Sequence, residues 1–127
     1  MNATSLLKGS MRNTVSNPNK NRGSQFERDV AKYLRANGFP EADRRYGAGV
    51  RYDKGDLVGV PGFVIECKNQ AKINLAEFVA EAIAEAANAG VEFGVAVVKR
   101  RQRPVSESYV VMTLEQFAVI AERLGKK

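Results

Sequence analysis

The stretch Gly55-Asp56-Leu57-Val58-Gly59-Val60-Pro61-Gly62-Phe63-Val64-Ile65-Glu66-Cys67-Lys68 sets two acids and a lysine where they can do chemistry. It reads as two short strands joined by a Pro-Gly turn. Successive strand residues point to opposite faces, so Val64, Glu66 and Lys68 share one side and Phe63, Ile65 and Cys67 the other. A hairpin brings Asp56 beside Glu66, and two carboxylates at one point make a seat for a hard divalent cation, which prefers oxygen ligands. Lys68 alongside can steady a charged transition state or orient a nucleophilic water. Such a set suits metal-dependent cleavage of a phosphodiester. A plainer reading makes Glu66 and Lys68 an i,i+2 charge pair on an exposed sheet face, with Asp56 a turn residue. Against it, Glu66 and Lys68 end an apolar strand, where an exposed face would alternate.

The elements that must position these groups are readable around them. Ser24-x-x-Glu27 has the form of a capping box, and Phe26, Val30, Tyr33 and Leu34 form an apolar helical stripe that Asn37-Gly38 ends, giving a helix over 24–36. Residues 41–46 read as a charged strand and Gly47-Ala48-Gly49 as a turn, before a hairpin over 55–60 and 63–69. Asn74-x-x-Glu77 caps a second helix with Leu75, Phe78, Val79, Ala82, Ile83 and Ala86 on one face, stopped at Asn88-Ala89-Gly90. Phe93 to Val98 is a continuous apolar run, as in a strand buried on both faces. Ser108 to Met112 is the last strand. Thr113-x-x-Gln116 then caps a helix with the stripe Leu114, Phe117, Ala118, Ala121 and Leu124. The order α-β-β-β-α-β-β-α gives an α/β fold with a mixed sheet flanked by helices.

At 127 residues and 44% hydrophobic content the chain fits one folded domain. Residues 1–22, polar and without periodicity, read as a flexible basic N-terminal arm, and 23–127 as the domain. Twenty Lys and Arg against fourteen Asp and Glu leave a net charge of +6, which suits a polyanionic partner. The charge is grouped. Residues 1–25 carry Lys8, Arg12, Lys20 and Arg22 and no acid; Arg44, Arg45, Arg51 and Lys54 lead into the hairpin; Lys99-Arg100-Arg101-Gln102-Arg103 closes the long apolar run. Three basic blocks around one acidic site favour nucleic acid over a merely soluble surface.

The chain has no histidine, which excludes His-metal nuclease sites and Ser-His-Asp triads. Its single cysteine, Cys67, has no partner for an intrachain disulfide and reads as a small apolar residue on the inner strand face. No run approaches the about 18 apolar residues of a membrane span, and no apolar leader stands at the N-terminus. The expected setting is the cytoplasm of a prokaryote or a phage-infected host.

Asp56 followed by Glu66-Cys67-Lys68 resembles the signature of the PD-(D/E)XK nuclease superfamily, with Gly55 where its name has proline. Over about residues 20–120 the chain is similar to a narrower group, the archaeal-type Holliday junction resolvases also found in phages. Arg22-Gly23-Ser24-Gln25-Phe26-Glu27-Arg28 looks like that family's entry to its first helix, and Leu34-Arg35-x-x-Gly38-Phe39 like the helix end. Arg45 with Gly47-Ala48-Gly49 lies where the family has a basic residue and a small-residue loop. The strand Gly94-Val95-Ala96-Val97-Val98-Lys99 and the last strand, which leads into a Leu-Glu-x-Phe helix, fit as well.

The resemblance implies a restriction-endonuclease-like fold and an Mg²⁺- or Mn²⁺-dependent endodeoxyribonuclease. Asp56, Glu66 and the main-chain carbonyl of Cys67 would hold the ion, and Lys68 would hold or deprotonate the attacking water. It adds Glu27 as a fourth catalytic residue and further candidate ligand, although an N3 glutamate in a capping box needs no other role. DNA would be held by Lys20, Arg22, Arg44, Arg45, Arg51, Lys99, Arg100, Arg101 and Arg103. The implied substrate is the four-way junction, nicked in symmetric pairs by a homodimer. The family's loop serine is matched here by Ala48, leaving its auxiliary role unfilled or passed to Tyr46 or Tyr52. That departure keeps open a same-fold nuclease acting on flaps, ends or duplex, and a non-catalytic DNA-binding module.

Overall fold

The computed structural model describes residues 18–44 and 56–126. Helix α1 spans Pro18–Ala36, and three strands follow: β1 Asp43–Arg44, β2 Leu57–Val58 and β3 Phe63–Lys68. Helix α2 covers Leu75–Ala89, strand β4 Phe93–Val98. A 3₁₀ turn at Val105–Glu107, strand β5 Tyr109–Val111 and helix α3 Leu114–Gly125 complete the chain. This is the expected α-β-β-β-α-β-β-α order. The strands form one five-stranded mixed sheet in the order β1-β2-β3-β4-β5, antiparallel except for the parallel β3–β4 pair at its centre. The fold is α/β and restriction-endonuclease-like.

The layers follow from strand alternation. Ile65, Val95 and Val97 meet Phe26, Val30 and Ala31 of α1 on one face; Ala96 and Val98 meet Phe78 of α2 on the other. All six residues of β4 are buried, as its unbroken apolar run requires. Helix α2 lies very close to the sheet. A Cβ at Gly94 would stand 2.2 Å from the Ala82 carbonyl oxygen, so only glycine admits that crossing. The hairpin turns on Pro61 and Gly62, with Phe63 N–H donating to the Val60 carbonyl at 3.1 Å and Gly62 at φ +86, the geometry of a type II turn.

Two expectations are corrected. The first helix does not start at a Ser24 cap but at Pro18, a residue whose fixed φ suits a first turn. Gly23 is carried inside the helix at a cost of about 1 kcal/mol against alanine, so Ser24-x-x-Glu27 is helix interior and no capping box forms. Residues 18–22, assigned to the arm, are therefore helical; residues 1–17 lie outside those described. The α3 stripe is also turned around. Leu114, Phe117, Ala118, Ala121 and Leu124 are exposed, while Gln116, Val119 and Ile120 are half-buried. The amide of Gln116 holds the helix to β4, accepting from Gly94 N–H and donating to the Gly94 carbonyl, both at 2.9 Å. The other two caps form as read: Asn74 accepts from Glu77 N–H and Thr113 from Gln116 N–H, each at 3.1 Å. No helix among the described residues is long and apolar enough to cross a membrane.

Candidate active site

Strand β3 ends where three other parts of the chain meet. Its antiparallel pairing with β2 puts Leu57 opposite Ile65, so Asp56, one residue earlier, falls beside Glu66, and its carboxylate reaches one residue further along β3. Asp56 N–H donates to the Ile65 carbonyl at 3.0 Å, and its Oδ2 accepts the Cys67 N–H at 2.7 Å. On the other side, the parallel pairing of β3 and β4 runs to Lys68 opposite Val98, and Lys99 N–H donates to the Lys68 carbonyl at 2.9 Å. The Lys99–Arg103 block therefore leaves the sheet beside Lys68.

Glu66 and Lys68 project from one face of β3, as the spacing requires, toward α2. There they meet Glu81 and Glu85, one helical turn apart on α2. The Lys68 ammonium is hydrogen-bonded to Glu81, stands 3.8 Å from Glu66 Oε1 and lies over the Phe78 ring, 5.3 Å from its centroid. Glu85 lies beside Glu66. Glu66, Glu81 and Glu85 each offer an oxygen within 4.8 Å of the others, and Glu66 is only 6% exposed.

Charge here is costly, and proton affinities respond. Burial pushes the Glu66 carboxyl up to about 11, with Glu85 and the neighbouring Asp56 charge adding to it and Lys68 opposing. Burial alone would lower Lys68, but the Glu81 hydrogen bond and the charges of Glu66, Glu81 and Asp56 raise it above its ordinary value. The Cys67 thiol is pushed up by burial first, then by Asp56 and Glu27, so thiolate chemistry is disfavoured there.

The structure brings together Asp56, Glu66, Cys67 and Lys68. Glu27 is not one of the three clustered carboxylates, although its charge reaches the Cys67 thiol: its Oε1 accepts from Arg44 Nε at 3.0 Å, and Arg44 also donates to Ser24 Oγ at 3.4 Å. Arg44 is thus tied to an acid. Arg100 and Arg103 both pair with Glu107, at 3.2 and 3.3 Å, whereas Arg101 is exposed. Lys20 and Arg22 belong to α1. Arg45, Tyr46, Ala48, Arg51, Tyr52 and Lys54 lie outside the described residues.

Sequence reasoning missed Glu81 and Glu85. Glu85 falls next to Phe78 on the helical wheel, at the edge of the apolar stripe, and is 3% exposed.

A mixed sheet with this acid-and-lysine strand end defines a nuclease of the PD-(D/E)XK superfamily. The family model described as phage putative PDDEXK endonuclease matches residues 18–126, and the chain belongs to that family. No curated protein and no solved structure matches it.

Proposed function

We propose that the chain is a structure-selective DNA endonuclease that uses Mg²⁺ or Mn²⁺ and resolves four-way junctions by paired nicks. The observation that carries the catalytic reading is the meeting of Asp56, Glu66 and Lys68 at the end of β3, fixed by the Asp56–Cys67 hydrogen bond. The donor set fits a hard cation: it is all oxygen, and Glu66 Oε2 is buried with no hydrogen-bond donor. Asp56, Glu66 and the Cys67 carbonyl would hold the ion, with Glu27 a further candidate. A divalent ion there supplies Lewis acidity, offsetting charge on the phosphate and acidifying a water. Lys68, kept an ammonium by its acidic neighbours, orients that water and donates to a phosphate oxygen as charge builds. Lys99 and Arg101, emerging beside Lys68, contact the backbone of the strand being cut.

Junction selectivity rests on the family resemblance along the chain, and it requires two sites. A four-way junction has approximate two-fold symmetry, which a two-fold dimer matches. Two copies each carrying +6 repel through charged faces. The outward side of α3 bears Leu114, Phe117, Ala118, Ala121 and Leu124, bordered by the exposed acids Glu115 and Glu122, and we take it as the contact with a second copy.

The test is cleavage of a labelled immobile junction beside matched duplex, flap and single strand in Mg²⁺, with Glu66→Ala and Lys68→Ala as controls. Symmetric paired nicks on the junction alone, absent in both variants, are expected. Cutting of flaps or duplex would move the function to a nuclease of other substrates. Tight junction binding without cutting would make the chain a binding module.

A further inference from the structure

A cleft opens between α1 and the basic block, on the face of the sheet away from Glu66 and Lys68. We propose that it takes a single unstacked nucleotide of branched DNA, base inward and phosphate at the rim, with Tyr33 as the stacking residue. The inference rests on the reading of DNA as the substrate and adds to it the means of telling a branch from a duplex.

The cleft measures about 470 Å³, a size that suits a small ligand and excludes a double helix. Helix α1 forms one wall, and the chain between β4 and the 3₁₀ turn forms the other. Its inner surface is apolar. Phe26, 2% exposed, and the half-buried Val105 lie deepest, and Tyr33, 41% exposed, remains open to a ligand. Lys32, Lys99 and Arg103 also line it, against one acid, Asp29. That acid is engaged, its Oδ1 accepting from Gln25 Nε2 at 2.8 Å. Arg103 is held by Glu107 at 3.3 Å, but Lys99 Nζ donates to the neutral Arg100 carbonyl at 3.4 Å, a contact that does not offset its charge. An accessible aromatic on an apolar floor with cations around it matches a nucleotide, whose base has a π-face and whose phosphate is an anion.

The backbone shapes the cleft and couples it to the strand end. Gln102 stands at φ 59, a left-handed conformation uncommon outside glycine. The reversal there brings Arg103 and Pro104 back against the α1 side of the cleft. Lys99 N–H donates to the Lys68 carbonyl at 2.9 Å, so a residue lining the cleft stands one strand spacing, about 4.8 Å, from the proposed catalytic lysine. A DNA strand crossing the ends of β3 and β4 can meet Lys68 and lay a neighbouring nucleotide on Tyr33. In intact duplex a base reaches Tyr33 only by leaving its stack, which costs least where pairing is already interrupted. The cleft therefore favours a branch.

The test measures binding of the full chain, in EDTA so that nothing is cut, to a labelled four-way junction, a flap and a matched duplex by fluorescence anisotropy. The wild type is expected to prefer both branched forms. Tyr33→Ala should weaken binding to them roughly five-fold or more and leave duplex binding unchanged, whereas Tyr33→Phe should keep the preference. Circular dichroism melting verifies the fold of each variant. A 5-iododeoxyuridine at the branch point should crosslink to Tyr33 of the wild type on irradiation, located by mass spectrometry, which keeps the test open if Tyr33→Ala does not fold. Equal losses on branched and duplex DNA, or no loss on either, would overturn the proposal, as would crosslinks confined to residues outside the cleft. A chain that cuts nothing in Mg²⁺ but keeps the Tyr33-dependent preference would lose the nuclease reading alone. A chain that nicks junctions while Tyr33→Ala binds them like the wild type would lose the cleft alone.

Discussion

Asp56 Oδ2 and the Cys67 amide are joined by a 2.7 Å hydrogen bond, so the acid before β2 is tied to the middle of the Glu66-Cys67-Lys68 triplet. The bond gives Asp56 a structural duty besides the proposed ligand role, and substitutions can separate the two. Asp56→Asn keeps an oxygen acceptor for the amide but loses the charge. It should fold with near wild-type stability and not cleave. Asp56→Ala leaves the amide unpaired and should cost about 1–3 kcal/mol more in urea unfolding. Equal stability of the two variants would mean that the bond does not hold the strand end.

A second expectation concerns pH in the metal-free protein. Glu66 is raised by burial, by Glu85 and by Asp56 from 4.5 to about 11, so between those values the folded state holds a proton that the unfolded state has lost. Stability then falls as pH rises, by at most about 1.4 kcal/mol per pH unit for one proton. With no histidine in the chain, few other groups titrate between pH 6 and 8. Urea unfolding in EDTA should show a slope across that window that Glu66→Gln flattens. A wild-type slope equal to that of the variant would place an ionised Glu66 in the folded state.

Much of this site was legible because strands have a period of two. Glu66 and Lys68 had to share a face, and the Pro-Gly turn had to bring Asp56 back beside them; both hold. What was lost came from tertiary context. Ser24-x-x-Glu27 matches a cap locally, but helix propagation from Pro18 overrides it, and Arg44, seventeen residues away, gives Glu27 its partner. The α3 stripe was recognised as apolar, yet periodicity says nothing of which neighbour covers it. The amide of Gln116 on Gly94 turns that stripe outward. Glu85 was hidden for another reason: it borders the apolar stripe beside Phe78, where an acid reads as the start of the polar face, and only the packing against β3 buries it.

The Glu27–Arg44 pair makes a third prediction. Both side chains are about one-quarter exposed or less, and the Nε–Oε1 distance is 3.0 Å. A double-mutant cycle with Glu27→Gln and Arg44→Gln should give an interaction of about 0.5–1 kcal/mol, in the upper part of the range for partly exposed pairs. If Glu27 is functional as well, Glu27→Gln should lower cleavage far more than Arg44→Gln while the two lose similar stability. Equal losses of cleavage would reduce Glu27 to a partner of Arg44.

Within the basic block, the arginines differ in what they already hold. Arg100 and Arg103 share Glu107, whereas Arg101 is exposed at the turn. Arg101→Ala should therefore weaken junction binding and reduce the slope of log K against log salt by about 0.9 if it neutralises one phosphate. Arg100→Ala should change the slope less, because its charge is partly offset before DNA arrives. Titrations at several salt concentrations measure both. An unchanged slope in Arg101→Ala would take the block out of the DNA contact.

The outward face of α3 gives the last prediction. Leu114 is 80% exposed, Phe117 55% and Leu124 61%, so within one copy these side chains bury little and their replacement costs little. Buried against a second copy, each would contribute about 1.5–3 kcal/mol at most. Leu114→Glu with Phe117→Glu should leave the thermal melt of the dilute protein nearly unchanged and convert a dimer to a monomer in analytical ultracentrifugation. Acids there also place like charges opposite one another across a two-fold interface. On a junction, the monomer should cut arms singly, without the paired symmetric nicks of the dimer. A dimer that survives both substitutions would place the interface elsewhere. A wild-type monomer that still makes paired nicks would remove the need for a second copy and, with it, this account of why α3 turns its apolar side to the solvent.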